Sequence, residues 1–160
     1  MAFVVLIGAA GVGKSTIADA VGSDEPDVQI SHFAALGAPP DEAVGDPEML
    51  DAWRRATTAE WIRRLAPAVA AGTPVLLEGD IRFDHLEEAA ADAGGVAYIP
   101  VLIDCDDDVR RDRAEGGEIT DDDVAAGLRD AAAEHGCRVI DTTMRGVNAC
   151  MDEVIRLVRR

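Results

Sequence analysis

Residues 8 to 15 read Gly8-Ala9-Ala10-Gly11-Val12-Gly13-Lys14-Ser15, and Lys14 is the sole lysine among 15 basic residues. The pattern is G-x-x-x-x-G-K-S without a mismatch. A polyphosphate needs several N–H donors converging at short range, and glycines let the backbone approach that closely while turning directly into a helix N-terminus. Gly8, Gly11 and Gly13 supply that freedom, with Ala9, Ala10 and Val12 between them. Lys14 is expected to reach the β- and γ-phosphates of ATP as a compact charge, Ser15 to ligate Mg²⁺, and Thr16 to follow in the first helical turn. Elsewhere the chain chooses arginine, so the one ammonium stands where a point charge is wanted.

Both flanks suit the motif. Before it, Phe3-Val4-Val5-Leu6-Ile7 is apolar at every position, as a strand covered on both faces requires; after it, Ser15-Thr16-Ile17-Ala18-Asp19-Ala20-Val21 reads as a helix. The same alternation continues outward. Strands are expected over 3–7, 28–31, 74–77, 98–103 and 137–140, and helices over 14–21, 47–70, 84–93, 107–114, 121–135 and 147–159. Asp46-Pro47-Glu48 offers a cap acceptor, a first-turn proline and an acid in the order a helix start prefers, and Thr120-Asp121-Asp122-Asp123 repeats the device. The fold class is therefore α/β, a three-layer, doubly wound parallel sheet of five strands. At 160 residues the chain is read as a single domain over 1–160.

The bulk composition excludes several functions. A net charge of -16 repels nucleic acid phosphates and anionic membrane surfaces, so neither is expected as a partner. Cys105, Cys137 and Cys150 have neither disulfide-framework nor zinc spacing and are expected reduced. No basic leader precedes Phe3, and no apolar run approaches the ~18 residues of a membrane span, which together point to the cytoplasm.

Further along, Leu76-Leu77-Glu78-Gly79-Asp80-Ile81-Arg82 sets two carboxylates and an arginine just past a buried strand. Glu78 or Asp80 would hold the water shell of Mg²⁺ or accept a proton from an attacking hydroxyl, and Arg82 would bind the acceptor. On the long helix, Leu50, Trp53, Thr57, Trp61 and Leu65 make one apolar stripe where an acceptor-binding lid would lie, its tryptophans read as core packing rather than a ligand platform, with Arg54, Arg55, Arg63 and Arg64 elsewhere. His85 and His135 read as solvated. The proline- and glycine-rich stretch over 34–45 reads as a mobile loop above the carboxyl edge of the sheet.

The chain resembles the small P-loop kinases, the group of nucleoside monophosphate, shikimate and gluconate kinases and chloramphenicol phosphotransferase. Beyond the phosphate loop, Leu77-Glu78-Gly79-Asp80-Ile81-Arg82 looks like the LDGFPR segment of adenylate kinases. That likeness implies an acid at Glu78 and a phosphate-binding arginine at Arg82. Asp108-Val109-Arg110-Arg111-Asp112-Arg113 is similar to the helix entering their LID, which implies that Arg113 folds onto ATP. Ile140-Asp141-Thr142-Thr143 resembles the fifth-strand end that precedes the adenine loop. The stretch from Gly37 to Trp61 also resembles uncharacterised single-domain P-loop proteins of AAA type. The resemblance implies strand order 2-3-1-4-5, an acceptor-side helical region over 34–71 and a short LID over 110–120.

The expected activity is therefore transfer of the γ-phosphoryl of Mg·ATP to a small-molecule or nucleotide acceptor, with Lys14, Asp80 and Arg113 catalytic, Asp80 and Arg82 on the acceptor, and Ser15 and Glu78 on the metal. One departure stands out: where many such kinases carry an acceptor-polarising aspartate after strand two, this chain has Ser31-His32-Phe33-Ala34. Asp80, His32 and Glu78 all remain open as the base. The same departure leaves room for a second reading, a nucleotide-binding regulatory module with slow or no hydrolysis. A dinucleotide fold fails because G-x-G-x-x-G is not met, and a GTPase because no NKxD-type motif occurs. The sequence is silent on oligomeric state.

Overall fold

The computed structural model describes residues 1–113 and 122–160. Helix boundaries expected at 114 and 121, the second cap at 120–121 and most of the 110–120 segment lie outside the described residues. Five parallel strands run β1 (Phe3–Ile7), β2 (Gln29–His32), β3 (Val75–Gly79), β4 (Ile99–Asp104) and β5 (Arg138–Asp141). Their spatial order is β2-β3-β1-β4-β5. Between them lie α1 (Lys14–Asp24), α2 (Pro47–Ala70), α3 (Phe83–Asp92), α4 (Asp107–Arg113), α5 (Asp122–Glu134) and α6 (Val147–Val158), with short 3₁₀ turns at Phe33–Leu36 and Asp41–Ala43. Helices cover both sides of the sheet, α1 packed on α6 and α2 on α3.

The continuous apolar runs account for the sheet. Val4, Val5, Leu6 and Ile7 are wholly buried in the central strand, beside Leu76 and Leu77 of β3 and Ile103 of β4. The motif therefore grows out of the middle of the sheet, with a strand on either side of β1. Strands β2 to β5 each run one or two residues further than hydropathy indicates, because polar side chains end them. Glu78 stands next to last in β3, opposite Leu6 and His32, and Asp104 pairs with Asp141 at the ends of β4 and β5. Ladder pairing does not depend on side-chain polarity, so acids at a strand's carboxyl edge stay in register.

Helix α2 starts as expected: Asp46 Oδ1 accepts from the amides of Glu48 at 3.0 Å and Met49 at 3.1 Å. Its buried face is Thr57, Thr58, Ile62 and Leu65, while Trp53 and Trp61 pack against the core only in part. The expected stripe is thus rotated toward Thr58 and Ile62. His85 overturns its solvated reading. It is buried, 1% exposed, because α3 lies against α2, and its Nε2 stands 3.1 Å from Asp51 Oδ1. His135 is exposed and stacks on Phe83 with ring centroids 5.2 Å apart. The cysteines are free, Cys105 and Cys150 buried and Cys137 partly so. Among the described residues no helix is long and apolar enough to cross a membrane.

Candidate active site

The phosphate loop is shaped by its glycines. Gly13 stands at the N-cap of α1 with φ of 98°, a left-handed conformation that side chains disfavour. It brings no side chain to cap the helix, so the first-turn amides of α1 remain available to an anion, where the helix dipole also favours negative charge. Lys14 Nζ donates to the carbonyl of Ala9 at 2.9 Å, which folds the ammonium back over the loop. Ser15 and Thr16 are exposed on the first turn. The donor set, amides at a helix start with one ammonium, fits a nucleotide's phosphates.

Beside the loop, the register of β2 on β3 sets His32 opposite Glu78. His32 Nδ1 and Glu78 Oε1 are 2.9 Å apart, and His32 Nε2 lies 3.4 Å from Asp19 Oδ1. Glu78 is 5% exposed, and its carboxylate lines the same cleft as Ser15. One hydroxyl and one carboxylate suit Mg²⁺, which keeps several waters and takes few protein ligands. Among the described residues no group of three or more His, Cys, Asp or Glu is gathered to hold a metal.

That cleft has a volume of about 630 Å³. Gly8, Ala9, Ala10, Lys14 and Ser15 form one wall, and the 3₁₀ turn and α2 form the other. At its far side Asp80 Oδ2 accepts from Arg54 Nε at 2.5 Å. Arg54 belongs to α2 and Asp80 follows β3, so the pair ties the helix to the strand end. Arg82 lies apart, lining a neighbouring hollow of about 580 Å³ with Asp46, Asp51 and Asp84. The two spaces share Leu50, Arg54 and Val124.

On the other flank of the loop, Arg113 donates from Nη1 to Thr142 Oγ1 at 2.9 Å and from Nη2 to the Thr142 carbonyl at 2.8 Å. The Thr142 hydroxyl in turn donates to the Val12 carbonyl at 2.9 Å. One threonine after β5 therefore joins the arginine to the phosphate loop. Arg113 borders a hollow with Gly11, Gly13, Lys14, Ser15 and Thr16, and a second of about 230 Å³ with Val12, Ile17, Thr142, Arg145 and Val147.

No protein-family model matches the chain, and no curated protein matches it significantly. Among solved structures it is similar to an unliganded sugar kinase from Janibacter sp. HTCC2649, at 17% identity and a TM-score of 0.69, over 99% of this chain and 95% of that one. The chain has the fold of the small P-loop kinases. A gluconokinase from Sinorhizobium meliloti 1021 aligns at 16% identity and a TM-score of 0.68, over 99% of this chain and 92% of that one. A shikimate kinase from Acinetobacter baumannii, in complex with shikimate, aligns at 12% and 0.66, over 99% and 93%.

Within this P-loop kinase fold, the neighbouring arginines of α4 separate by environment. Arg110 is fully buried and its Nη2 contacts Asp107 and Asp122, whereas Arg113 faces the loop. Two residues of the site carried no sequence signal of their own. Arg54 read only as one of four arginines off the apolar stripe of α2, and nothing local tells that this helix crosses the end of β3. Thr142 read only as part of a strand end, and its role depends on the separation of Val12 from β5, which is set by packing.

Proposed function

We propose that this protein transfers the γ-phosphoryl group of ATP to a hydroxyl of a small acceptor bound between the phosphate loop and α2. The observation that carries the reading is the single cleft, with Lys14 and Ser15 on one wall and the Arg54–Asp80 pair on the other. A pure binding module needs only the first wall. The solved neighbours that align over nearly the whole chain are a sugar kinase, a gluconokinase and a shikimate kinase, which supports the same reading.

The residues divide the work as phosphoryl transfer demands, by positioning and by charge stabilisation. Amides from Gly8 to Ser15 and the Lys14 ammonium hold the β- and γ-phosphates. Arg113, at the edge of the loop, adds positive charge where it develops on the transferring group. Ser15 and Glu78 would hold Mg²⁺, which would supply neutralisation of phosphate charge. Asp80 accepts the acceptor's hydroxyl proton on Oδ1 while Arg54 fixes Oδ2, so the O–P bond to the acceptor forms as the bond to ADP breaks. The hollow beside Thr142 and Arg145 receives the base. Residues 34–71 furnish the acceptor side of one unit spanning the chain. Free cysteines suit a reducing interior such as the cytoplasm, and the charge of -16 leaves nucleic acid no part.

The test is ADP release from Mg·ATP, alone and with nucleosides, nucleotides, sugars and hydroxylated antibiotics. At least one acceptor accelerates release, and Asp80→Asn lowers that turnover by about 10²- to 10⁴-fold while the KM for ATP changes little. Release indifferent to every acceptor contradicts the proposal. An Asp80→Asn effect confined to the KM for ATP reassigns Asp80 to the nucleotide.

A further inference from the structure

We infer that the acceptor is an uncharged alcohol with a flat, apolar ring face, and not a sugar acid. This rests on the transfer reading and names the substrate class of that same cleft. Its acceptor wall is built from Phe33, Pro39, Leu50 and Trp53. Phe33 is 3% exposed and seats on Gly79, where a Cβ would fall 2.0 Å from the Phe33 Cβ. Trp61 Nε1 donates to the Phe33 carbonyl at 3.1 Å, and the Trp53 ring meets Phe33 edge-on at 5.7 Å and 90°. Half-buried Trp53 is therefore the open part of an aromatic shelf that buried Phe33 fixes from beneath. A polyol laid against it would leave hydroxyls without partners, whereas a ring would cover it.

Charge points the same way. Among the described residues four ionisable side chains line the cleft, Lys14 and Arg54 against Glu78 and Asp80, so their formal charges cancel. Arg54 is bound to Asp80 through its Nε, and its side chain is 17% exposed. An acceptor carboxylate reaching Arg54 would meet a guanidinium whose charge Asp80 already compensates. Arg82, the next cation, stands among Asp46, Asp51 and Asp84. Among the described residues the cleft therefore offers an anion no net positive charge, and two carboxylates oppose it.

Matched acceptors test this in the wild-type protein. ADP release from Mg·ATP is followed with phenyl β-D-glucoside, salicin and uridine, then with glucose, gluconate, shikimate and phenyl β-D-glucuronide. Parallel titrations follow tryptophan fluorescence of protein saturated with a non-hydrolysable ATP analogue and Mg²⁺. A neutral ring-bearing alcohol is expected to exceed glucose and the matched acids at least tenfold in kcat/KM. It should also bind at least tenfold more tightly than its carboxylated counterpart. Trp53→Ala collapses the preference for the ring-bearing alcohol over glucose, and Trp53→Phe restores most of it. Preference for gluconate, shikimate or the glucuronide overturns the inference while leaving phosphoryl transfer standing. If no compound accelerates ADP release, transfer itself fails. In that event, absence of binding by every neutral ring compound, or tighter binding of the acids, overturns the inference as well.

Discussion

Lys14 holds its charge over the loop through the Ala9 carbonyl at 2.9 Å, and the proposed transfer would have it exchange that oxygen for phosphate. Lys14→Ala is expected to lower phosphoryl transfer by at least about a hundredfold, the scale of losing one donor to developing charge. The fold should survive, because α1 is anchored by Ile17, Ala18 and Val21, all buried. Circular dichroism and a melting curve close to wild type, with activity lost, would bear this out; full activity would refute the role. The positions of Lys14 and Ser15 at the start of α1 were legible from spacing and strand context, whereas the reading of Glu78 over Asp80 as the acid came from the likeness to adenylate kinases. Arg54 was not legible, since its partner Asp80 is 26 residues away and the ion pair exists only through the crossing of α2 over β3. His85 was misread for a related reason: its acidic surroundings at the start of an expected helix suggest solvent, yet α3 turns this side chain into the contact with α2.

At the scale of elements, the strand ends carry the chemistry. Hydropathy stops a strand at its first acid, whereas the parallel ladders carry Glu78, Asp104 and Asp141 within β3, β4 and β5. Sequence therefore located the strands and clipped their acidic ends, of which Glu78 lines the cleft. Gly79 is the element-level test, because it separates the last turn of β3 from the 3₁₀ turn that carries Phe33. Gly79→Ala inserts a Cβ 2.0 Å from the Phe33 Cβ and should cost about 1–3 kcal/mol, as overpacking does. Calorimetry should show a clear fall in Tm, and acceptor-dependent turnover should fall more than ATP binding. An unchanged Tm would mean that Phe33 is free to move and that the aromatic shelf is not fixed.

Over the whole molecule, arginine clamps join segments far apart in sequence. Arg129 of α5 donates to Asp104 at the end of β4 and to Asp107 at the start of α4. Its hydrogen bond holds the Asp107 carboxyl below the usual carboxylate range, as the bond from Arg159 does for Asp27. A carboxylate depressed in the folded state contributes stability that is present above its unfolded value, about 3.9, and is lost as pH falls through the lower folded value. The Tm difference between wild type and Arg129→Met should therefore be widest near neutrality and narrow as pH drops below about 4. A difference that does not vary with pH would remove Asp107 from that account. At this scale the sheet was legible from alternation, and its order came from the likeness to known kinases. The acceptor cleft was not, because residues near 8, 34, 53 and 80 meet there only after folding. The most direct test of the account follows label from [γ-³²P]ATP, incubated with the protein and a pool of small cellular metabolites. Label should pass to a stable organic phosphate with the wild type and not with Lys14→Ala, whereas label found only in ATP and inorganic phosphate would contradict phosphoryl transfer.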